Sequence, residues 1–149
     1  MDTPSRRLLV PTDFSETADK ALAVAIEMAR ALPAQVVLIH IHSPLMLLPP
    51  PIDMVSLDAV FPKALQKMEE ALEARAVRVR DAGLECDVAL IEGAPHVEIV
   101  NKAQQEKAEL IVIGTHGRGG LASAILGSVT ERVIHRATCP VLVVPDRKA

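Results

Sequence analysis

The sequence is poor in aromatic side chains: its 149 residues include no tryptophan, no tyrosine and only two phenylalanines, Phe14 and Phe61. Proteins that bind single-stranded nucleic acid usually stack the bases on aromatic rings, and nucleic-acid-binding domains in general present a basic face. Here the formal net charge is −3 and the pI is about 5.9. We therefore expect no nucleic-acid partner.

Cysteines and long apolar runs are also scarce. Cys86 and Cys139 lie far apart in sequence, which favours two buried reduced thiols over a disulfide framework. No apolar run reaches the roughly 18 residues of a membrane span, and the apolar run after Arg6 and Arg7 is too short for a signal peptide. We expect one cytoplasmic domain, residues 1–149, that makes no contact with a membrane.

The apolar residues that are present follow two alternating patterns. Five short apolar runs, rich in β-branched residues, are typical of strands covered on both faces. Stripes with helical spacing lie between them, the first from Ala18 to Leu32. The order β-α-β-α-β-α-β-α-β predicts an α/β fold with an open parallel sheet and helices on both faces. The five runs are Leu8–Val10, Gln35–Ile41, Cys86–Glu92, Leu110–Gly114 and Pro140–Pro145.

Local signals place several helix ends. Ser15 is predicted to cap the first helix, Gly83 to end the second, and Ser128 with Glu131 to form a capping box at the fourth. The segment from Ser43 to Pro62 contains five prolines and is predicted to be an ordered surface loop. It either acts as a lid or partner-contacting flap, or simply packs on its own domain.

Five of the seven glycines lie between Gly114 and Gly127, directly after the fourth predicted strand. Such glycines permit a tight turn and close backbone approach, and the start of the following helix suits a phosphate. The same glycines could instead form only a turn and a cap. Residues that could donate to phosphate are Arg118, Ser128 and Thr130.

Polar residues fall at or near the ends of three predicted strands. Asp13 follows the first strand and would accept hydrogen bonds from a sugar or base if the first and fourth strands are neighbours; alternatively, it caps the local turn. His116 either contacts phosphate or orders its own loop. His40 and His42 lie on one face of the second strand, where a structural role is favoured over metal binding.

Along nearly its whole length the chain resembles the universal stress protein family. The resembling stretches are LLVPTDFSE, VLIHIHS, AELIVIGTHGRGG and GSVTERVIHRATCPVLVVP. ATP-binding members of that family carry G-x2-G-x9-G-[S/T], which reads here as Gly114, Gly117, Gly127 and Ser128. The resemblance implies strand order 3-2-1-4-5 and a homodimer that pairs through the last strand, Val141–Val144.

The resemblance also implies a ligand, ATP, with Mg²⁺ or Mn²⁺ carried by the phosphates rather than by a protein cage. By position in the family pattern, three groups of residues would contact it. Those near the adenosine are Pro11, Thr12, Asp13 and Ile41; those bordering the ribose are Ile113 and Gly114. Those holding the phosphates are Gly117, Arg118, Gly127, Ser128, Val129 and Thr130, with His116 beside them.

Three functions remain open at this point. The first is a non-enzymatic, ATP-binding regulatory or stress-response module with an unidentified protein partner, in which nucleotide shifts dimer or partner contacts. The second is a slow ATPase or phosphotransfer enzyme, although the sequence offers no clear general base for a γ-phosphate. The third is a dimeric interaction module with a vestigial nucleotide site, which the apolar proline-rich segment favours.

Overall fold

Five parallel strands form one sheet with the strand order 3-2-1-4-5, as expected from the resemblance. The computed structural model describes residues 6–43, 54–116 and 126–146. The strands are β1 (Arg6–Pro11), β2 (Ala34–His42), β3 (Cys86–Glu92), β4 (Leu110–Gly114) and β5 (Val141–Val144). The helices between them are α1 (Glu16–Ala31), α2 (Met54–Asp81), α3 (Pro95–Gln105) and α4 (Ser128–Arg136).

The helices cover both faces of the sheet, so the strands are apolar on both sides. On the α1/α2 face, Leu8 and Leu38 pack with Leu22 of α1 and Leu72 of α2. On the α3/α4 face, a second cluster joins the intervening strand residues to Ile99, Ala103 and Val133 of the helices. Burying two faces explains why the predicted strands show unbroken apolar runs rather than alternation.

The pairing of β1 with its two neighbours, β2 and β4, shows which edge of the sheet carries the carboxyl ends of the strands. Leu8 of β1 is in register with Val36 of β2 on one side and with Leu110 of β4 on the other. Because all strands are parallel, their carboxyl ends lie along a single edge of the sheet. The chain moves outward in one direction from β1 to β3 and in the other from β4 to β5, so β1 and β4 flank the point where strand order reverses.

Two of the predicted helix ends are confirmed and one segment is corrected. Ser15 caps α1, accepting a hydrogen bond from the N–H of Ala18 at 3.1 Å. Gly83 follows α2 with a φ of +85°, which favours glycine. The segment from Ser43 to Pro62 is not a loop throughout, because α2 begins at Met54 and contains Pro62. A proline removes one helical hydrogen bond and bends a helix, and the helix here continues past it.

The two cysteines lie on opposite faces of the sheet, which keeps them apart. Cys86 belongs to the α1/α2 cluster, and burial raises the pKa of its thiol to about 11. Cys139 is half-buried against the α3/α4 cluster, and burial raises the pKa of this thiol as well. Both are free thiols that stay protonated at neutral pH and are therefore poor nucleophiles. Within residues 6–43, 54–116 and 126–146, no helix combines the length and hydrophobicity needed to cross a membrane.

Candidate functional site

The turn between β1 and α1 is held by its own side chains. The N–H of Thr12 donates to the carbonyl of Ile39 at 2.8 Å, and its hydroxyl accepts from the N–H of Phe14 at 3.1 Å. Asp13 Oδ1 accepts from the N–H of Ser15 at 3.0 Å. The turn-capping alternative for Asp13 is therefore present in the structure. Its contact with a sugar or base stays a prediction, as does that of Thr12 and of the buried Pro11.

Phe14, in the middle of this turn, has a φ of 67°, a conformation that side chains other than glycine rarely adopt. Two side chains hold it there. The Arg75 guanidinium of α2 lies 5.0 Å from the Phe14 ring centroid and donates to the Phe14 carbonyl at 3.1 Å. The His40 ring centroid lies 4.3 Å from that of the Phe14 ring, and His40 Nδ1 is 2.7 Å from the Thr12 carbonyl oxygen. Since a carbonyl only accepts, that Nδ1 carries the proton.

Sequence reasoning left His40 and His42 as structural strand-end residues, and the structure gives His40 this role. His42 lies on the same face, buried, and its Nδ1 has no hydrogen-bond partner among the described residues. The described ranges contain no group of three or more His, Cys, Asp or Glu side chains placed to hold a metal ion.

Gly114 closes β4 where α1 crosses it. A Cβ atom there would lie 2.8 Å from Thr17 Cγ2 and 3.2 Å from the Thr17 carbonyl oxygen, so only glycine fits without movement. The Gly114 carbonyl accepts the hydroxyl proton of Thr130 at 2.7 Å. Thr130 is buried, so its hydroxyl joins α4 to β4, and any contact with phosphate would come from its backbone N–H. These contacts give Gly114 a packing role that sequence reasoning did not identify.

Gly127 joins the two described ends of the glycine-rich segment. Its N–H donates to the Thr115 carbonyl at 2.6 Å, and a Cβ atom at Gly127 would lie 3.0 Å from His116 Cα. Gly127 is also the N-cap of α4, since its carbonyl accepts the N–H of Glu131 at 2.9 Å. The predicted capping box is therefore wrong: Ser128 is the first helical residue, and Glu131 lies one position too far along.

A glycine N-cap leaves the first turn of α4 without a side-chain cap. The N–H groups of Ser128, Val129 and Thr130 precede the first N–H that can bond within the helix. They lie at the edge where the strands end, directly after the segment that joins β4 to α4. An uncapped helix start at this place has the donors and the partial positive charge that bind a phosphate.

Ile41 and Ile113 are the penultimate residues of β2 and β4, on the α3/α4 face and on either side of β1. They are 9% and 7% exposed, so both are buried apolar side chains close to the reversal point. Gly117 and Arg118, two of the predicted phosphate contacts, lie outside the described residues. The structure thus places the remaining predicted site residues along one edge of the sheet, from the β1–α1 turn to the start of α4.

Two residues that the sequence did not single out also lie at this edge. Lys20 of α1 forms an ion pair with Asp146, which comes two residues after β5. Asp146 Oδ2 is also 3.7 Å from His116 Nε2. Neither Lys20 nor Asp146 belongs to a local motif, because a contact across about 126 residues is visible only once the fold is known.

A parallel α/β sheet with polar turns at its reversal point is the class of fold that binds ligands beyond the carboxyl ends of its strands. The model of the universal stress protein family matches residues 4–145. This chain belongs to the universal stress protein family, in agreement with the resemblance.

Individual relatives match over nearly the whole chain. Universal stress protein MJ0531 of Methanocaldococcus jannaschii is 37% identical over 145 residues, covering 96% of this chain and 84% of the relative. The solved structure of protein MJ0577 from the same organism is 30% identical, with a TM-score of 0.84, covering 99% of this chain and 100% of that one. A universal stress protein of Archaeoglobus fulgidus, solved in complex with dAMP, is 24% identical with a TM-score of 0.70, covering 95% and 98%. This last likeness establishes the fold alone.

Proposed function

We propose that this protein binds an adenine nucleotide, ATP in the first place, between the β1–α1 turn and the start of α4, and acts in the cytoplasm as a regulatory module rather than as an enzyme. The observation that carries the proposal is the uncapped first turn of α4. Its N-cap, Gly127, supplies no side-chain acceptor, so three N–H groups remain for a phosphate. The dAMP complex of the A. fulgidus protein supports the proposal, because the same fold holds an adenine nucleotide there.

The rest of the ligand would occupy the remainder of the edge. Asp13 and Thr12 lie in the turn after β1, where a nucleoside would sit beside a phosphate bound at α4. The apolar strand ends at Ile41 and Ile113 flank this position. Mg²⁺ or Mn²⁺ would bind through the phosphates, since a triphosphate supplies its own oxygen ligands.

Replacing Ser128 with aspartate is the sharpest test of phosphate binding. A carboxylate in the first turn of a helix stabilises that helix, yet here it would repel a phosphate. We expect Ser128→Asp to weaken ATP binding at least about tenfold, by charge repulsion, while the melting temperature stays equal to or above that of the wild type. Isothermal titration calorimetry with ATP, ADP and AMP in the presence of Mg²⁺ measures the affinities.

Ser128→Ala is the matched control, because it removes the hydroxyl without adding charge. It should keep most of the affinity if backbone N–H groups hold the phosphate. Absence of binding by the wild-type protein for all three nucleotides would refute the proposed function. Phosphate release from ATP well above background, lost in Ser128→Asp, would instead identify a slow ATPase.

We also propose that two copies pair through β5. One edge of β5 pairs with β4, and the opposite edge is the end of the sheet. A strand at the end of a sheet that carries apolar residues tends to be covered by another chain. Val141, Leu142 and Val143 are only half-buried in the single chain. Sedimentation velocity should give about twice the 16.0 kDa mass of the chain, and a concentration-independent monomer would contradict this assembly.

A further inference from the structure

The segment after β5 is tied to the start of the glycine-rich segment. Val144, the last residue of β5, is in register with Gly114 of β4. Two residues later, Asp146 Oδ2 accepts the hydroxyl proton of Thr17 at 3.2 Å and lies 3.7 Å from His116 Nε2. Its other oxygen accepts from the ammonium group of Lys20. One carboxylate thus connects α1, the end of β5 and the residue that follows Thr115.

His116 in turn supports the start of α4. Its side chain is only 9% exposed, and its Nδ1 lies 3.2 Å from the hydroxyl of Thr115. The Cα of His116 is the atom that a Cβ at Gly127 would approach most closely, at 3.0 Å. The N–H of Gly127 also donates to the carbonyl of the neighbouring Thr115 at 2.6 Å, so we expect a shift of residues 115 and 116 to reach the N-cap of α4 and its first-turn N–H groups.

Lys20 neutralises the charge of Asp146, which as a bare carboxylate near a phosphate site would oppose binding. The hydrogen bond from Lys20 lowers the pKa of Asp146, and the same bond raises the pKa of Lys20. At neutral pH the two form a neutral pair. The carboxylate therefore faces His116 Nε2 at 3.7 Å while adding little negative potential.

We propose that Asp146 is a positioning residue for phosphate binding: by holding His116 from the α1 side, it sets where Gly127 and the first turn of α4 lie. This proposal rests on the proposed nucleotide function. It assigns a role to a residue outside the glycine motif, and it makes the end of β5 part of the nucleotide site.

The test compares Asp146→Asn with Glu109→Gln. Both variants replace a paired carboxylate by its amide. Glu109 pairs with Arg6 at 3.6 Å, and both side chains are exposed to solvent. Glu109 precedes β4, so this pair lies at the opposite edge of the sheet from Asp146. Calorimetry with ATP and with adenosine, both with Mg²⁺, separates the phosphate end of the site from the nucleoside end. We expect Asp146→Asn to weaken ATP binding about three- to tenfold and adenosine binding less than about twofold, and Glu109→Gln to change neither.

A second measurement needs no ligand. The amide proton of Gly127 is held by the Thr115 carbonyl, so its hydrogen exchange reports on the joint between His116 and α4. We expect exchange at Gly127 to be about tenfold faster in Asp146→Asn than in Glu109→Gln. If Asp146→Asn does not fold, Asp146→Ser, which also removes the carboxylate and keeps Lys20, serves in its place, and the same pattern is expected.

Several results would overturn the proposal. Tighter ATP binding in Asp146→Asn would mean that the carboxylate acts only through its negative charge, and unchanged binding would mean that it has no role in the site. Equal losses for ATP and adenosine would indicate a general structural role. Failure of the wild-type protein to bind any nucleotide removes the proposed function itself and this proposal with it, whereas normal wild-type binding with an unaffected variant removes the role of Asp146 alone.

Discussion

Replacing Gly114 with alanine is expected to lower the free energy of unfolding by about 2 kcal/mol, because the added methyl group has no space. Its Cβ would lie 2.8 Å from Thr17 Cγ2 and 3.2 Å from the Thr17 backbone oxygen. Thr17 is buried in the first turn of α1, just after the Ser15 cap. Relieving the crowding requires both the Thr17 side chain and the α1 backbone to move away from β4. Urea unfolding at pH 7 measures the effect.

Two variants separate crowding from other effects of alanine. Thr17→Ser removes Cγ2 and keeps the hydroxyl, so the double variant with Gly114→Ala should recover about half of the loss, measured as a double-mutant cycle. Gly83→Ala probes backbone conformation alone, since its φ is +85° and no atom lies within 4 Å of the new Cβ. If the free energy of unfolding of Gly114→Ala lies within about 0.5 kcal/mol of the wild-type value, as is usual for surface substitutions, the packing role of Gly114 is wrong.

Replacing Arg75 with methionine should also cost about 2 kcal/mol, since it removes several charged hydrogen bonds at a partly buried position. Arg75 Nε and Nη2 donate to Asp19 at 2.7 and 3.2 Å, and the same guanidinium donates to the carbonyls of Phe14 and Ala71 at 3.1 Å each. The side chain is 17% exposed. Methionine keeps the apolar stem, so the loss measures mainly the polar contacts.

The same change should affect ligand binding in a characteristic way. Arg75 holds Phe14, and Phe14 lies in the turn with Asp13, at the nucleoside end of the proposed site. We therefore expect Arg75→Met to weaken the binding of adenosine and of ATP by similar factors. Ser128→Asp, by contrast, should weaken the binding of ATP and leave that of adenosine unchanged. Arg78→Met is the matched control, because Arg78 reaches the same Asp19 only at 4.0 Å and is 49% exposed. Equal losses of stability in both arginine variants would contradict the role of Arg75.

The strands and helix order were predictable from the sequence because burial on both faces of a sheet forces long apolar runs, as in Leu8–Val10 and Leu110–Gly114. Strand order came from family resemblance, since alternation alone permits several arrangements. The helical start of α2 at Met54 was missed because a nearby proline is locally a strong signal against helix. The packing of the whole helix against the sheet, through residues such as Leu72 and Val79, stabilises it enough to tolerate the proline.

In the candidate site too, features of the local sequence were predictable and features that depend on packing between distant elements were not. Glycine spacing and the position of Asp13 are sequence-local features, so the edge of the sheet was predicted. The roles of Thr17 and Thr130 against Gly114 were not, because they depend on how closely α1 and α4 approach β4. The capping-box error has a related origin: Ser128 has the right chemistry for an N-cap, but the carbonyl that accepts the first helical bond belongs to Gly127.

The bond between the Gly127 N–H and the Thr115 carbonyl means that the chain leaves the sheet and returns to it at nearly the same point. The bond from the Thr130 hydroxyl to the Gly114 carbonyl joins α4 to β4 a second time. Both bonds are made by residues that the structure describes, at the two ends of the glycine-rich segment. We therefore expect substitutions at positions 117–125 to change ligand binding while leaving the free energy of unfolding nearly unchanged.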